Sequence, residues 1–258
     1  MFFIIGLSGH IWAQRVLQPK LIEFDTKGIV YKTEQAFQFR LMESGMAIGY
    51  YQGQIISYSK TKYYSIDLGY LRDVRERRQT KNVSIATPTN SFAIGKLNSI
   101  ISIRGSVGRK IYLSEKAKRR GLAVGYTYEV GPSVALVKPY YLDLIYSSGQ
   151  TGLQVEIRTE KFSEDNADVF LDRNRVFGAS KFRNGLGEIS IVPGIQAKGG
   201  VHFALGAFDE YMKTLEVGMM MDLYTKKLPI LYETEEYQNR PLFVRFYANI
   251  QFGVRKNK

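Results

Sequence analysis

The sequence predicts an all-β protein, a closed antiparallel transmembrane β-barrel of eight strands, or ten on the alternative count, with long loops. Three observations lead there. Most ordered segments alternate apolar and polar residues at every second position, the period of a strand. The apolar row carries no charge in these strands, while the opposite row mixes Gly, Ala and Ser with isolated charges of both signs. Usage of 18 Tyr and 15 Phe with 24 Gly and only 7 Pro favours strands and turns over helices.

The elements follow in order. "AFQFRLME" sets Phe37, Phe39 and Leu41 against Gln38 and Arg40, and Ser44 with Gly45 supplies a tight turn into "MAIGYYQG". "YYSIDLGYL" alternates Tyr64, Ile66, Leu68 and Tyr70 against Ser65, Asp67 and Gly69. "SIISIRGSVGRK" places Ile101, Ile103 and Val107 opposite Ser102, Arg104 and Ser106. "LAVGYTYEVGPSVAL" is the longest alternating run, with Glu129 on its small-residue row. "EISIVPGIQ", "VHFALG" and "TLEVGMMMDLY" come next, and "PLFVRFYANIQFGVRKNK" closes the chain with Leu242, Val244, Phe246, Ile250 and Phe252 against Arg245, Asn249 and Gln251.

That makes nine strands, whereas single-chain bacterial barrels have an even number. One strand is therefore false or missing; "LIEFDTKGIVYKTE" or "PYYLDLIY" would supply a further one. The connections 72–96, 147–185 and 225–241 are long, which is ordinary for outer loops of membrane barrels. No helical period and no repeat appears, so residues 34–258 read as one barrel domain after a segment 14–33. The opening "MFFIIGLSGHIWA", residues 1–13, reads as a secretory signal with cleavage before Gln14; it lacks a basic start, which places the true start upstream.

Which face meets solvent follows from the polar row. A soluble barrel would show water a row rich in Lys, Glu and Thr, but here that row is mostly Gly, Ala and Ser. Small residues with sparse charges suit a crowded lumen, and buried charges must be paired. The expected lumen network is Arg40, Arg104 and Arg245 with Asp67, Glu129, Glu188, Glu216 and Asp222. The uncharged row then faces lipid, where only closure leaves no unpaired strand edge. Tyr50, Tyr51, Tyr63, Tyr64, Tyr140, Tyr141 and Tyr146 sit near strand ends, as interfacial girdles do.

Composition excludes other chemistry. There is no cysteine, hence no disulfide, thiolate metal site or cysteine nucleophile. With His10 and His202 alone, no multi-histidine metal site is available, and no cofactor is expected. The formal charge of +12 suits an anionic surface; an export signal and the lack of any recognition motif argue against nucleic acid. Two basic segments are expected as loops that meet phosphates or acidic partners: Arg72, Arg75, Arg77 and Arg78, then Lys110, Lys116, Lys118, Arg119 and Arg120. His202, with Ser190 and Glu188 on a preceding strand, is the one arrangement resembling a hydrolase centre, though no serine motif adjoins it.

"GKLNSIISIRGSVGRK", "GLAVGYTYEVGPSVALVKPYYLDLIY", the "GLGEISIVPGIQAKGGVHFALGAF" region with "LEVGMMMDLY", and the ending "FVRFYANIQFGV" together resemble a poorly characterised group of Bacteroidota outer-membrane β-barrel proteins. The resemblance runs over roughly residues 30–255. It implies a single barrel in the outer membrane of a Gram-negative bacterium and brings no catalytic motif. Six residues follow Phe252, which departs from barrels ending at an aromatic residue. The expected role is non-enzymatic: a structural or accessory envelope protein whose basic loops contact lipopolysaccharide or other envelope proteins. A narrow small-solute channel is the alternative, and a lipid-modifying enzyme the third.

Overall fold

The computed structural model describes residues 31–80, 90–113, 122–148, 154–205 and 210–257. The signal 1–13, most of the segment 14–33, and Lys116, Lys118, Arg119 and Arg120 lie outside the described residues.

Eight strands close one barrel: β1 Thr33–Met42, β2 Gly45–Ser57, β3 Lys60–Leu71, β4 Asn98–Tyr112, β5 Leu122–Pro139, β6 Ser190–Leu205, β7 Tyr211–Tyr224 and β8 Leu242–Lys256. Each pairs antiparallel with its neighbours in the chain, and β1 pairs with β8 to shut the sheet. Thr33 faces Lys256 in that closing register, and Met42 faces Tyr247. Full closure leaves no edge strand.

The odd count resolves at β6. "EISIVPGIQ" and "VHFALG" are not two strands but one of 16 residues, running without a break through "AKGG". Lysine followed by two glycines signals a turn locally. In the barrel Lys198 points inward, and a side chain at Gly200 would collide with the hydroxyl of Tyr247, which reaches from β8 over Gly218. "PYYLDLIY" does contain a strand, Tyr141–Ser148, but it stands outside the barrel, so the count is eight and not ten.

The faces divide as the alternation requires. Phe37, Ile191 and Phe246 are 73%, 69% and 62% exposed, while the alternate row is buried, including Arg104 and Asp222 at 0%. The charge-free outer row holds over the middle of the wall only. The strands run further than the quoted segments, and near the end that carries Thr33 and Lys256 the outer row holds exposed Lys62, Arg109 and Lys213. Long basic side chains can bury their stems there and keep the charge in water. Tyr51 and Tyr63 are not girdle residues; they point inward and are fully buried, whereas Tyr64 faces outward.

The two ends of the barrel differ. One carries both strand termini and the connections 58–59, 113–121 and 206–210; the other carries 43–44, 72–97, 140–189 and 225–241. At the short 43–44 turn Gly45 has φ +148°, and a Cβ there would strike the Tyr70 carbonyl.

The long connections build a cap. Tyr141–Ser148 is the middle strand of a three-stranded sheet with Gln154–Lys161 and Val176–Ala179. Its apolar face packs Leu142, Leu144 and Val176 on Phe92, Val169 and Phe170, the last two from a short helix. The middle connection is thus not a structureless loop: its described residues fold into a unit that shares a core with the 72–97 connection. The 225–241 connection crosses the barrel mouth: Leu97 N–H donates to Ile230 O at 2.9 Å, and Tyr232 N–H to Gly95 O at 2.7 Å. Leu228 and Ile230 thereby sink onto Leu71, Ile100, Val137 and Tyr224, sealing that end with an apolar layer.

Candidate functional site

Alternation delivers one inward side chain per two residues from eight strands, so polar groups far apart in the chain meet on the axis. Among the described residues, five carboxylates and six cations are buried there. Asp67 accepts from Arg40 Nη1 at 3.1 Å and from Arg104 Nη1 at 3.0 Å. Arg104 turns its other edge to Asp222 in a two-point contact at 2.8 and 3.0 Å, and Arg245 Nη2 donates to the same carboxylate at 2.6 Å. The fork geometry of arginine is what lets one guanidinium bridge two carboxylates.

A second group centres on Lys198, which stands 3.3 Å from Glu129 and 3.4 Å from Glu216. Tyr63 donates to Glu129 at 2.9 Å, and Thr127 and Tyr247 donate to Glu216. The third group is Glu34 with Lys110 and Arg255, joined by the Tyr51 hydroxyl. Gln251 links the last two, since its amide donates to Glu216 and its oxygen accepts from Lys110. The lumen is a cross-braced solid.

Seven of the eight expected network residues stand in this lumen: Arg40, Asp67, Arg104, Glu129, Glu216, Asp222 and Arg245. Glu188 does not. It ends a short 3-10 turn before β6, exposed to solvent, and accepts from Tyr141 and Lys161. Glu34, Lys110, Lys198 and Arg255 belong to the network although the pattern did not single them out. Lys110 is no loop residue, because β4 runs on to Tyr112 and turns its side chain inward. Arg255 likewise extends β8 inside the barrel, so the basic ending is part of the closing strand.

The two basic segments sit at opposite ends. Arg72, Arg75, Arg77 and Arg78 follow β3 in the cap, whereas the connection after Lys110 lies at the end with the termini. Arg75 grips Asp73 at 2.8 Å with two nitrogens and lies 4.8 Å above the Tyr237 ring, tying two cap loops. Burial pushes the Asp73 carboxyl up, but the Arg75 side chain and backbone N–H bonded to it outweigh this and hold it below the ordinary carboxylate value. Arg77 and Arg78 remain exposed.

His202 faces the lumen, fully buried, edge-on to Tyr112 at 4.8 Å between ring centres. Neither ring nitrogen has a hydrogen-bond partner among the described residues. Ser190 lies on the same strand, twelve positions away, not on a preceding one. At the rise of a strand that is roughly 40 Å, which removes the Ser190–His202 arrangement.

No family model and no curated protein matches the chain. Among the solved structures that resemble it, two share 7% identity each with this chain. The N-terminal β-barrel domain of Pseudomonas aeruginosa OprF aligns over 86% of this chain and 96% of its own, with a TM-score of 0.32. Neisserial surface protein A (NspA) aligns over 88% of this chain and 94% of its own, with a TM-score of 0.33.

Proposed function

We propose that the chain is an integral outer-membrane barrel with a non-enzymatic, accessory role in a Gram-negative envelope, its cap facing outward to lipopolysaccharide. The observation that supports this most directly is the exchange of faces. Large apolar side chains girdle the outside of a closed barrel, and the charges of its inward row are buried and paired. Water would penalise that outer surface, and lipid requires it. Barrels of this kind keep short turns with their termini on the periplasmic side and long loops outside, which supports a cap at the cell surface. The packed lumen and its apolar seal favour a structural barrel over the channel alternative. Membrane fractionation with a heat-dependent gel shift tests the proposal. A chain that stays soluble without detergent and migrates identically before and after boiling would sink it.

A further inference from the structure

The outer wall holds a cleft at the top of the apolar belt, under the cap. Its lining is Tyr70, Ser99 and Lys138 from the barrel and Arg78, Tyr140, Tyr141 and Ser180–Phe182 from the cap, around a volume of about 290 Å³. Three cationic and five hydroxyl-bearing residues line it and no carboxylate does; the Tyr70 and Tyr141 hydroxyls are already engaged by Lys96 and Glu188.

Lys138 is the key group. It is 4% exposed; among the described residues its ammonium donates to the Pro139 carbonyl at 3.4 Å and lies 4.8 Å from the Phe182 ring, with Tyr70 and the like-charged Lys96 nearby. No carboxylate lies within ion-pair distance of it among the described residues, in contrast to every cation of the lumen network. Lys96 behind the cleft is neutralised by Glu76 at 2.8 Å, and the same carboxylate reaches Arg78 only at 3.7 Å. A buried ammonium is costly unless an anion completes it.

Place decides the anion. Ser99 and Lys138 are cross-strand partners on the outward row, directly beyond the pair Ile101 and Leu136 on the lipid-facing wall. The cleft therefore meets the membrane where acyl chains give way to headgroups. A ligand with a phosphate on an apolar anchor would satisfy both surfaces, whereas free phosphate would use only one.

We propose that this cleft binds the phosphate group of an outer-leaflet lipid, with Lys138 as the buried counter-charge and Arg78 and Lys181 closing on it from the cap. The assignment rests on the cap facing the cell exterior, and it names the contact that the accessory role would make.

Native mass spectrometry of the detergent-purified chain, mixed with lipid A or with its dephosphorylated form, tests this. The wild type is expected to retain lipid A and not the dephosphorylated lipid. Lys138→Gln and Lys181→Gln should each weaken retention about tenfold, the loss of one charge-assisted contact. Lys226→Gln, an exposed charge at the same end outside the cleft, should leave it unchanged. Lys181 is exposed, so its replacement does not threaten folding, and the heat-dependent gel shift reports folding for each variant. Equal retention of both lipids, or indifference to both cleft variants, overturns the proposal. Inorganic phosphate displacing lipid A at matched concentration overturns the lipid source. A wild type lacking the gel shift would instead indict the barrel itself.

Discussion

Arg104 shows what a single residue can carry in this barrel. It is fully buried and joins Asp67 on β3 to Asp222 on β7. Arg104→Met would leave each carboxylate with one partner instead of two, and breaking a buried pair in this way costs about 3–5 kcal/mol. A lowered urea midpoint in lipid vesicles is the expected readout, against little change for Arg77→Met in the exposed cap segment. Within the strands the inward positions of Arg104 and Asp222 were legible from parity. Their pairing was not, because partners such as Lys110 and Glu34 lie 76 residues apart and meet only through closure. Lys110, Lys138 and Lys198 look alike in the sequence; strand length and neighbours give them separate roles.

Among the elements, β8 and the cap loops make separate demands. Phe246 is 62% exposed on the outward row of β8, the fifth of its 15 residues, so Phe246→Arg would set a charge against lipid at up to roughly 2–4 kcal/mol. Reduced yield in the outer membrane, and a lower urea midpoint, should follow. Lys62 and Arg109, paired across β3 and β4 near the other end, tolerate their charge because they reach the interface. In the cap, the Asp73–Arg75 pair stacked on Tyr237 joins the loops after β3 and β7. Because the Asp73 carboxyl is held below its ordinary value of 3.8, its contribution is complete above that pH. It fades as pH falls through the lowered value. Hydrogen exchange across residues 72–80 should quicken in that acid range, and Asp73→Asn should show the fast exchange at every pH. β6 carries the other lesson at this scale. "AKGG" looks like a break because local signals count Gly-Gly as a turn, yet Lys198 finds Glu129 on β5 and Glu216 on β7 and the strand continues.

At the scale of the whole molecule, closure and sidedness generate the remaining predictions. The lumen is cross-braced and sealed by Leu228 and Ile230, so planar bilayers containing the purified barrel should show no steady conductance. Discrete, ion-selective steps would restore the channel alternative. The chain has no cysteine, which makes single introduced thiols clean reporters. Glu156→Cys on the cap should react with a membrane-impermeant maleimide in intact cells, and Lys60→Cys at the opposite end only after permeabilisation. The reverse pattern would invert the barrel.

What the sequence determined by itself was the division of faces and hence the class of fold. Side chains of a strand alternate with period two whatever the strand pairs with, so an uncharged row beside a row of small residues and balanced charges already implies lipid outside and a packed lumen. Tertiary structure decided the count of eight, the end of the barrel at which each loop lies, the partners of each buried charge, and the cleft at Lys138. Each of these depends on register and closure between segments distant in the chain, and local patterning carries no record of which strand stands beside which.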